Sequence, residues 1–150
     1  MIKYVSPLNG IRNMSRLYDK FSLPICEREG ISKVEMDVLA FLANHPERNT
    51  AKDITEMRML PKANVSQAVE ALIQKGFLSR TPDKSDRRKI RLFVTESAEQ
   101  TVNAVHEMQH GFYESIFEGF SAEECSDFTD AVNKITANAS KALKGQQQNG

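Results

Sequence analysis

The chain has no tryptophan, two cysteines, five prolines, and no net charge: 20 Lys and Arg stand against 20 Asp and Glu over 150 residues. Each scarcity excludes something. Cys26 and Cys125 have neither the number nor the spacing of a disulfide framework or a zinc cluster, so both thiols are expected reduced in a cytoplasmic protein. No apolar run nears the roughly 20 residues that span a bilayer, so no membrane partner is expected. The segment after Met1 is interrupted by Lys3, Pro7 and Arg12 and does not read as a signal peptide. No internal repeat is visible, and the only low-complexity piece is Gly145-Gln-Gln-Gln-Asn-Gly150.

A zero net charge argues against a nucleic-acid partner until its distribution is read. Residues 1–49 carry seven bases and six acids, and residues 50–91 carry ten and five. Residues 92–150 carry three and nine. The middle is therefore +5 and the last third −6, a dipolar chain whose basic part is where a polyanion would dock.

That basic part has an internal order. Thr50 to Asp53 opens a short helical pattern, with Ile54 and Met57 expected inside, that breaks at Pro61; a second pattern over Lys62–Lys75 stops at Gly76. Two apolar runs follow, 77–81 and 90–94, joined by the polar tip Asp83-Lys-Ser-Asp-Arg-Arg-Lys89. Phe77, Leu78, Leu92 and Val94 are expected to face the core, with Arg80 and Arg91 facing water. Helix, turn, helix and a two-stranded ribbon with a basic tip is the order of a winged helix-turn-helix, here about residues 32–95. On the second helix Val65, Val69, Leu72 and Ile73 form a narrow apolar stripe. The opposite face shows Ala63, Asn64, Gln67, Glu70, Ala71 and Gln74, flanked by Lys62 and Ser66. Small residues and amides suit base edges, since Asn and Gln can bond adenine bidentately. The plainer reading is a solvated polar face. At the tip, four cations against two carboxylates suit the negative potential of a minor groove. Asp86 is placed to brace Arg88 and the loop backbone.

The flanks supply amphipathic helices. Leu8, Ile11, Met14, Leu17, Tyr18, Phe21 and Ile25 form one stripe over 7–29, which Pro24 should kink or end early; Gly30 suits the position past its end. Ser32-Lys-Val-Glu35 is a capping box for a helix that carries Val34, Val38, Phe41 and Leu42 inward and ends before Pro46. Thr95 is expected to cap a helix to about Phe117, with Val102, Val105, Phe112, Ile116 and Phe120 as its seam. Ser121-Ala-Glu-Glu124 opens a last helix striped by Cys125, Phe128, Val132, Ile135, Ala139 and Leu143. Such faces find no neighbour in a small DNA-binding module, and burial against a second copy is the economical answer. The fold expected is therefore mainly α with a small β-wing, in one domain over 1–150. Helices about 7–29 and 96–143 form a dimerisation region, and 144–150 form a disordered tail.

Several residues of the basic region carry a resemblance: Gly30-Ile-Ser, Val38-Leu39, the Thr50…Ile54 helix and Asn64-Val-Ser-Gln-Ala-Val-Glu-Ala-Leu72. The list continues with Lys75-Gly-Phe-Leu-Ser-Arg80, Asp86-Arg-Arg88 and Leu92-Phe-Val-Thr95. Over about residues 30–98 the chain resembles the MarR family of bacterial transcriptional regulators. The resemblance implies a homodimer on double-stranded DNA, with recognition helices in successive major grooves and wing arginines in the flanking minor grooves. It places Lys62, Asn64, Ser66 and Gln67 on DNA, sends Arg88 into the minor groove, and has Asp86 brace that arginine. Pro61 departs from the family's usual capping Ser or Thr, Gln67 from a common Arg, and Ala98 from a customary Gly. The expected function is a sequence-specific regulator, a repressor by preference, on a pseudo-palindromic operator. Phosphate contacts would come from Lys52, Lys62, Arg80, Lys84, Arg87, Lys89 and Arg91.

Other readings compete. His106-Glu-Met-Gln-His110 matches H-E-x-x-H on an expected helix, which admits a zinc peptidase, or a regulatory metal site on His106 and His110. A third ligand could come from Glu123, Glu124 or Asp127, but the chain is short for a protease and no substrate-binding strand precedes the motif; two partly exposed histidines on a scaffold helix are the default, with no cofactor and no catalysis. Cys26 and Cys125 sit at apolar-periodic positions, which suits inert thiols better than redox sensors. Tyr18, Phe21, Tyr113 and Phe117 either line a pocket for a small aromatic effector or are plain core. A winged helix that binds only protein is a third class.

Overall fold

Pro7 occupies the first position of α1 (Pro7–Glu29), where its missing N–H would have been unsatisfied in any case. The computed structural model describes residues 6–147. α1 does not end at Pro24: it continues to Glu29, and the cost is confined to the one bond that Pro24 cannot give to the Lys20 carbonyl. Gly30 then adopts φ 66°, the left-handed conformation that turns the chain, and the Ile31 amide closes the turn on the Cys26 carbonyl at 3.0 Å.

Ser32 caps α2 (Lys33–Asn44) with both bonds of the capping box. Glu35 N–H donates to Ser32 Oγ at 3.1 Å, and Ser32 N–H donates to Glu35 Oε2 at 3.0 Å. Thr50 and Asp53 repeat the device at α3 (Ala51–Arg58), at 3.2 and 3.1 Å. A cap of this kind is worth about 1 kcal/mol. The turn into α4 (Lys62–Gln74) runs through Met59 at φ 54°, a left-handed conformation rare outside glycine. Gly76, at φ 79°, ends that helix and leads into β1 (Leu78–Pro82). β1 pairs antiparallel with β2 (Ile90–Val94), placing Leu78 opposite Val94 and Arg80 opposite Leu92. The ribbon starts one residue later than the sequence pattern suggested, because the Phe77 amide is taken by the Leu72 carbonyl at 2.9 Å. On its other edge the Leu92 amide donates to the Asn49 carbonyl at 2.8 Å, so the loop before α3 acts as a third rung.

The core lies where α2, α3, α4 and the ribbon meet. Met36, Val38, Leu39, Phe41, Ile54, Val65 and Leu72 are essentially inaccessible, with Leu78 and Leu92 sealing them from the wing side. Each such aliphatic side chain contributes about 1.5–3 kcal/mol of burial. Met57, expected inside, is 49% exposed, and its sulfur accepts from Arg48 Nη1 at 3.1 Å. An eight-residue helix turns only one narrow stripe inward, and Ile54 is its buried residue.

A single 3-10 turn, Glu96–Ala98, precedes α5 (Glu99–Ile116). Thr95 stands at the start of that turn, but its hydroxyl caps nothing. It donates instead to the Gly76 carbonyl, while its amide donates to Phe77 O at 3.0 Å, tying the end of β2 to the end of α4. α5 lies against α1 through Tyr18 and Phe112, whose rings meet edge to face at 5.1 Å. Gln109 Nε2 donates to the Tyr18 hydroxyl at 3.1 Å, and Thr101 Oγ1 to Glu29 Oε2 at 2.9 Å.

Residues from Tyr113 onward form a second compact unit. There Phe117 stacks on Tyr113 and meets Phe120 and Phe128 edge to face, each at 5.5 Å. Gly119 turns the chain at φ 82°, and Ser121 Oγ accepts the Glu124 amide at 3.1 Å at the head of α6 (Ala122–Gln147). The helix includes residues 144–147, part of the 144–150 segment expected as a disordered tail; residues 148–150 lie outside the described residues.

Candidate nucleic-acid interface

Four buried residues, Val65, Ala68, Val69 and Leu72, fix which side of α4 turns outward. Lys62, Ala63, Asn64, Ser66, Gln67, Glu70 and Gln74 are all exposed, and Ala71 is half-buried. The helix starts at Pro61 with no side-chain cap, so its first amides are unclaimed by any capping side chain beside Lys62.

The wing tip is organised by Asp83, which no local motif singles out. Asp83 Oδ2 accepts from Ser85 Oγ at 2.7 Å, from the Asp86 amide at 3.0 Å and from the Ser85 amide at 3.2 Å. Its other oxygen accepts from Arg91 Nε at 3.0 Å. These donors, led by the Ser85 hydroxyl and then Arg91, hold the Asp83 carboxyl far below the usual carboxylate range. Asp86 acts on the backbone: its Oδ1 accepts the Arg88 amide at 3.1 Å. The Asp83 amide closes the tip on the Lys89 carbonyl at 2.8 Å. A rigid tip thus displays Lys84, Arg87, Arg88 and Lys89, all exposed and none with a carboxylate partner among the described residues.

Two of the expected phosphate contacts are otherwise engaged. Arg91 does not face water: it is half-buried, held by Asp83, and its Nη1 donates to Asn49 Oδ1 at 3.1 Å. Arg80 is exposed but forms an ion pair with Glu70 of α4. Lys52 lies 3.8 Å from Glu56 one turn on, an open pair of little energetic weight. Asp83 pairs with a base eight positions away, a distance that local motif spacing does not bring forward; the buried Asn49 joins them only through the fold.

The remaining candidates are placed as follows. His106 is half-buried, with Nε2 lacking a hydrogen-bond partner, and His110 is exposed one turn later. Among the described residues no three His, Cys, Asp or Glu side chains gather as a metal site. Cys26 is buried, its Sγ 3.9 Å from Met36 Sδ, and burial pushes its thiol pKa up, with Asp37 and Glu35 adding to the effect. Cys125 is half-buried and free. Of the four aromatic residues considered for an effector, Tyr18 and Phe21 pack on Phe112 in the first unit, and Tyr113 and Phe117 on each other in the second. Among the described residues no helix is long and apolar enough to cross a membrane.

The model described as the MarR family matches residues 29–89, the stretch from the end of α1 to the wing tip. Over that stretch the chain is similar to the MarR family. It is 27% identical over 136 residues to the HTH-type transcriptional regulator PecS of Dickeya dadantii (strain 3937), covering 87% of this chain and 82% of that protein. It is 28% identical over 86 residues to the HTH-type transcriptional regulator YwhA of Bacillus subtilis (strain 168). That match covers 57% of this chain and spans 62% of that relative's length. In fold it is similar to a MarR protein from Peptoclostridium difficile, with TM-score 0.79 at 21% identity, covering 95% of this chain and 94% of that one. It is also similar to MepR of S. aureus, solved as a DNA complex, with TM-score 0.77 at 17% identity and coverage of 93% and 99%. The winged helix-turn-helix fold is thereby shown, and the family and relatives that the chain matches are transcriptional regulators, not enzymes, which goes against the peptidase reading of His106 and His110.

Proposed function

We propose that this chain is a cytoplasmic transcriptional regulator of the MarR family that binds double-stranded DNA sequence-specifically, as a homodimer on a pseudo-palindromic operator. The observation that carries the reading is the wing: four cations without a carboxylate partner among the described residues, on a tip braced by Asp83 and Asp86, beside the exposed amide face of α4. Lys62, Asn64, Ser66 and Gln67 enter the major groove, Arg88 the minor groove, and Lys84, Arg87 and Lys89 hold phosphates, with Lys52 at the edge. MepR, which shares the fold, was solved with DNA. Arg80 and Arg91 serve the protein first, for their guanidiniums are already matched by Glu70, Asp83 and Asn49.

The second copy is called for by apolar surface. On α1 Leu8 and Ile11 are more than half exposed, and in the second unit α6 exposes Ile135 and Leu143 similarly, with Val132 less so. A two-fold pair would bury these stripes and set two α4 helices about one DNA turn apart. A dimer that covers its operator acts most simply as a repressor. A small aromatic effector would regulate it by favouring one spacing of the two helices. The test is retention of genomic duplex fragments by the purified chain at low salt, with its mass in solution measured alongside. A monomer that retains no duplex would refute the proposal and leave a protein-binding winged helix.

A further inference from the structure

We infer that the outward face of α4 reads an A·T-rich half-site through the amides of Asn64 and Gln67, and that the Glu70–Arg80 ion pair keeps net charge off that face. The inference rests on the DNA-binding reading above and specifies what the site selects.

Helical spacing lines up Ala63, Gln67, Glu70 and Gln74 along the middle of the exposed face, with Asn64 and Ala71 beside them. Past Lys62 this helix offers no cation until Lys75, which lies beyond its end and is taken by Glu35. Guanine is read best by a guanidinium or ammonium reaching O6 and N7, whereas adenine N6 and N7 match a carboxamide and the thymine methyl matches Ala. Among the described residues, the guanidinium paired with this face is that of Arg80, and it is spent on Glu70. Glu70 would otherwise set a bare carboxylate against a polyanion, or accept from cytosine N4. What the groove meets is a neutral surface of amides and methyls, flanked by the cations of the wing.

The experiment is selection of bound duplexes from a random pool, followed by affinity measurements on the selected site. Selected half-sites are expected to be dominated by A·T pairs. Asn64→Ala and Gln67→Ala should each cut the preference for one A·T pair by about 5- to 150-fold while the salt dependence stays as in the wild type. Half-sites dominated by G·C pairs would overturn the inference and leave DNA binding standing. Retention of no duplex at all would overturn both. For the charge, Arg80→Gln should weaken binding about tenfold or more by exposing Glu70, and Glu70→Gln with Arg80→Gln should regain most of that loss. A double variant as weak as Arg80→Gln, with the same thermal midpoint, would show that Arg80 grips DNA itself and would overturn the pair's role.

Discussion

Arg91 Nε donates to Asp83 Oδ1 at 3.0 Å across the base of the wing, and the same guanidinium reaches Asn49 Oδ1 at 3.1 Å. Asn49 is buried and gives its carbonyl to the Leu92 amide, so the wing is fastened to the loop that leads into α3. Asp83→Ala removes the acceptor of four bonds at once. Operator affinity is expected to fall several-fold while helical circular dichroism is unchanged. Amide exchange at residues 84–89 should accelerate; unaltered exchange would mean that the tip is held by its turn alone.

Arg88 lies exposed on the tip, its amide donating to Asp86 Oδ1 and its side chain without an ion-pair partner among the described residues. Arg88→Ala should weaken operator binding by about 1–3 kcal/mol and lower the salt slope by about one. Fluorescence anisotropy over a salt series measures both. Unchanged affinity would remove the wing from DNA recognition.

Leu72 of α4 is fully buried in the core. Leu72→Ala is expected to cost about 2–5 kcal/mol in urea denaturation, because the packed surroundings cannot close the cavity. Met57→Ala, at a half-exposed position on α3, should cost far less. Equal losses would contradict the placement of α3.

Glu35 contributes to the acid-side pH dependence of stability, alongside Asp53 and Asp83, whose carboxyls are also held low. Burial works to raise its pKa, but hydrogen bonds from Lys75 and Ser32 outweigh it and leave it lowered. A carboxylate whose folded pKa is depressed stabilises fully above its unfolded value, about 4.3 for glutamate, and loses that contribution as pH falls toward the folded value. Stability should therefore drop through this acid range, and Glu35→Gln should flatten that part of the profile. A wild-type slope in the variant would assign the effect to other groups.

Ile135 is 63% exposed midway along α6. Ile135→Glu is expected to shift sedimentation at micromolar concentration from dimer to monomer and to reduce operator affinity with it. A variant that sediments as the wild type does would move the contact to another face.

Local chemistry was legible from the chain alone. The capping boxes at Ser32 and Thr50, the stops at Gly30 and Gly76, the ribbon and the basic tip all rest on contacts within a few residues, so type and spacing suffice. Long amphipathic stripes likewise announced α1, α5 and α6. Pairings across the fold were not legible. Arg91 to Asp83 and Asn49, Arg80 to Glu70, and Thr95 to Gly76 each depend on which elements lie side by side. The same side chain reads as a free cation or a cap in sequence and becomes a brace once a partner from a distant position arrives. Charge and periodicity determined that this chain has a basic winged helix; only packing decided which of its cations are left free to meet another molecule.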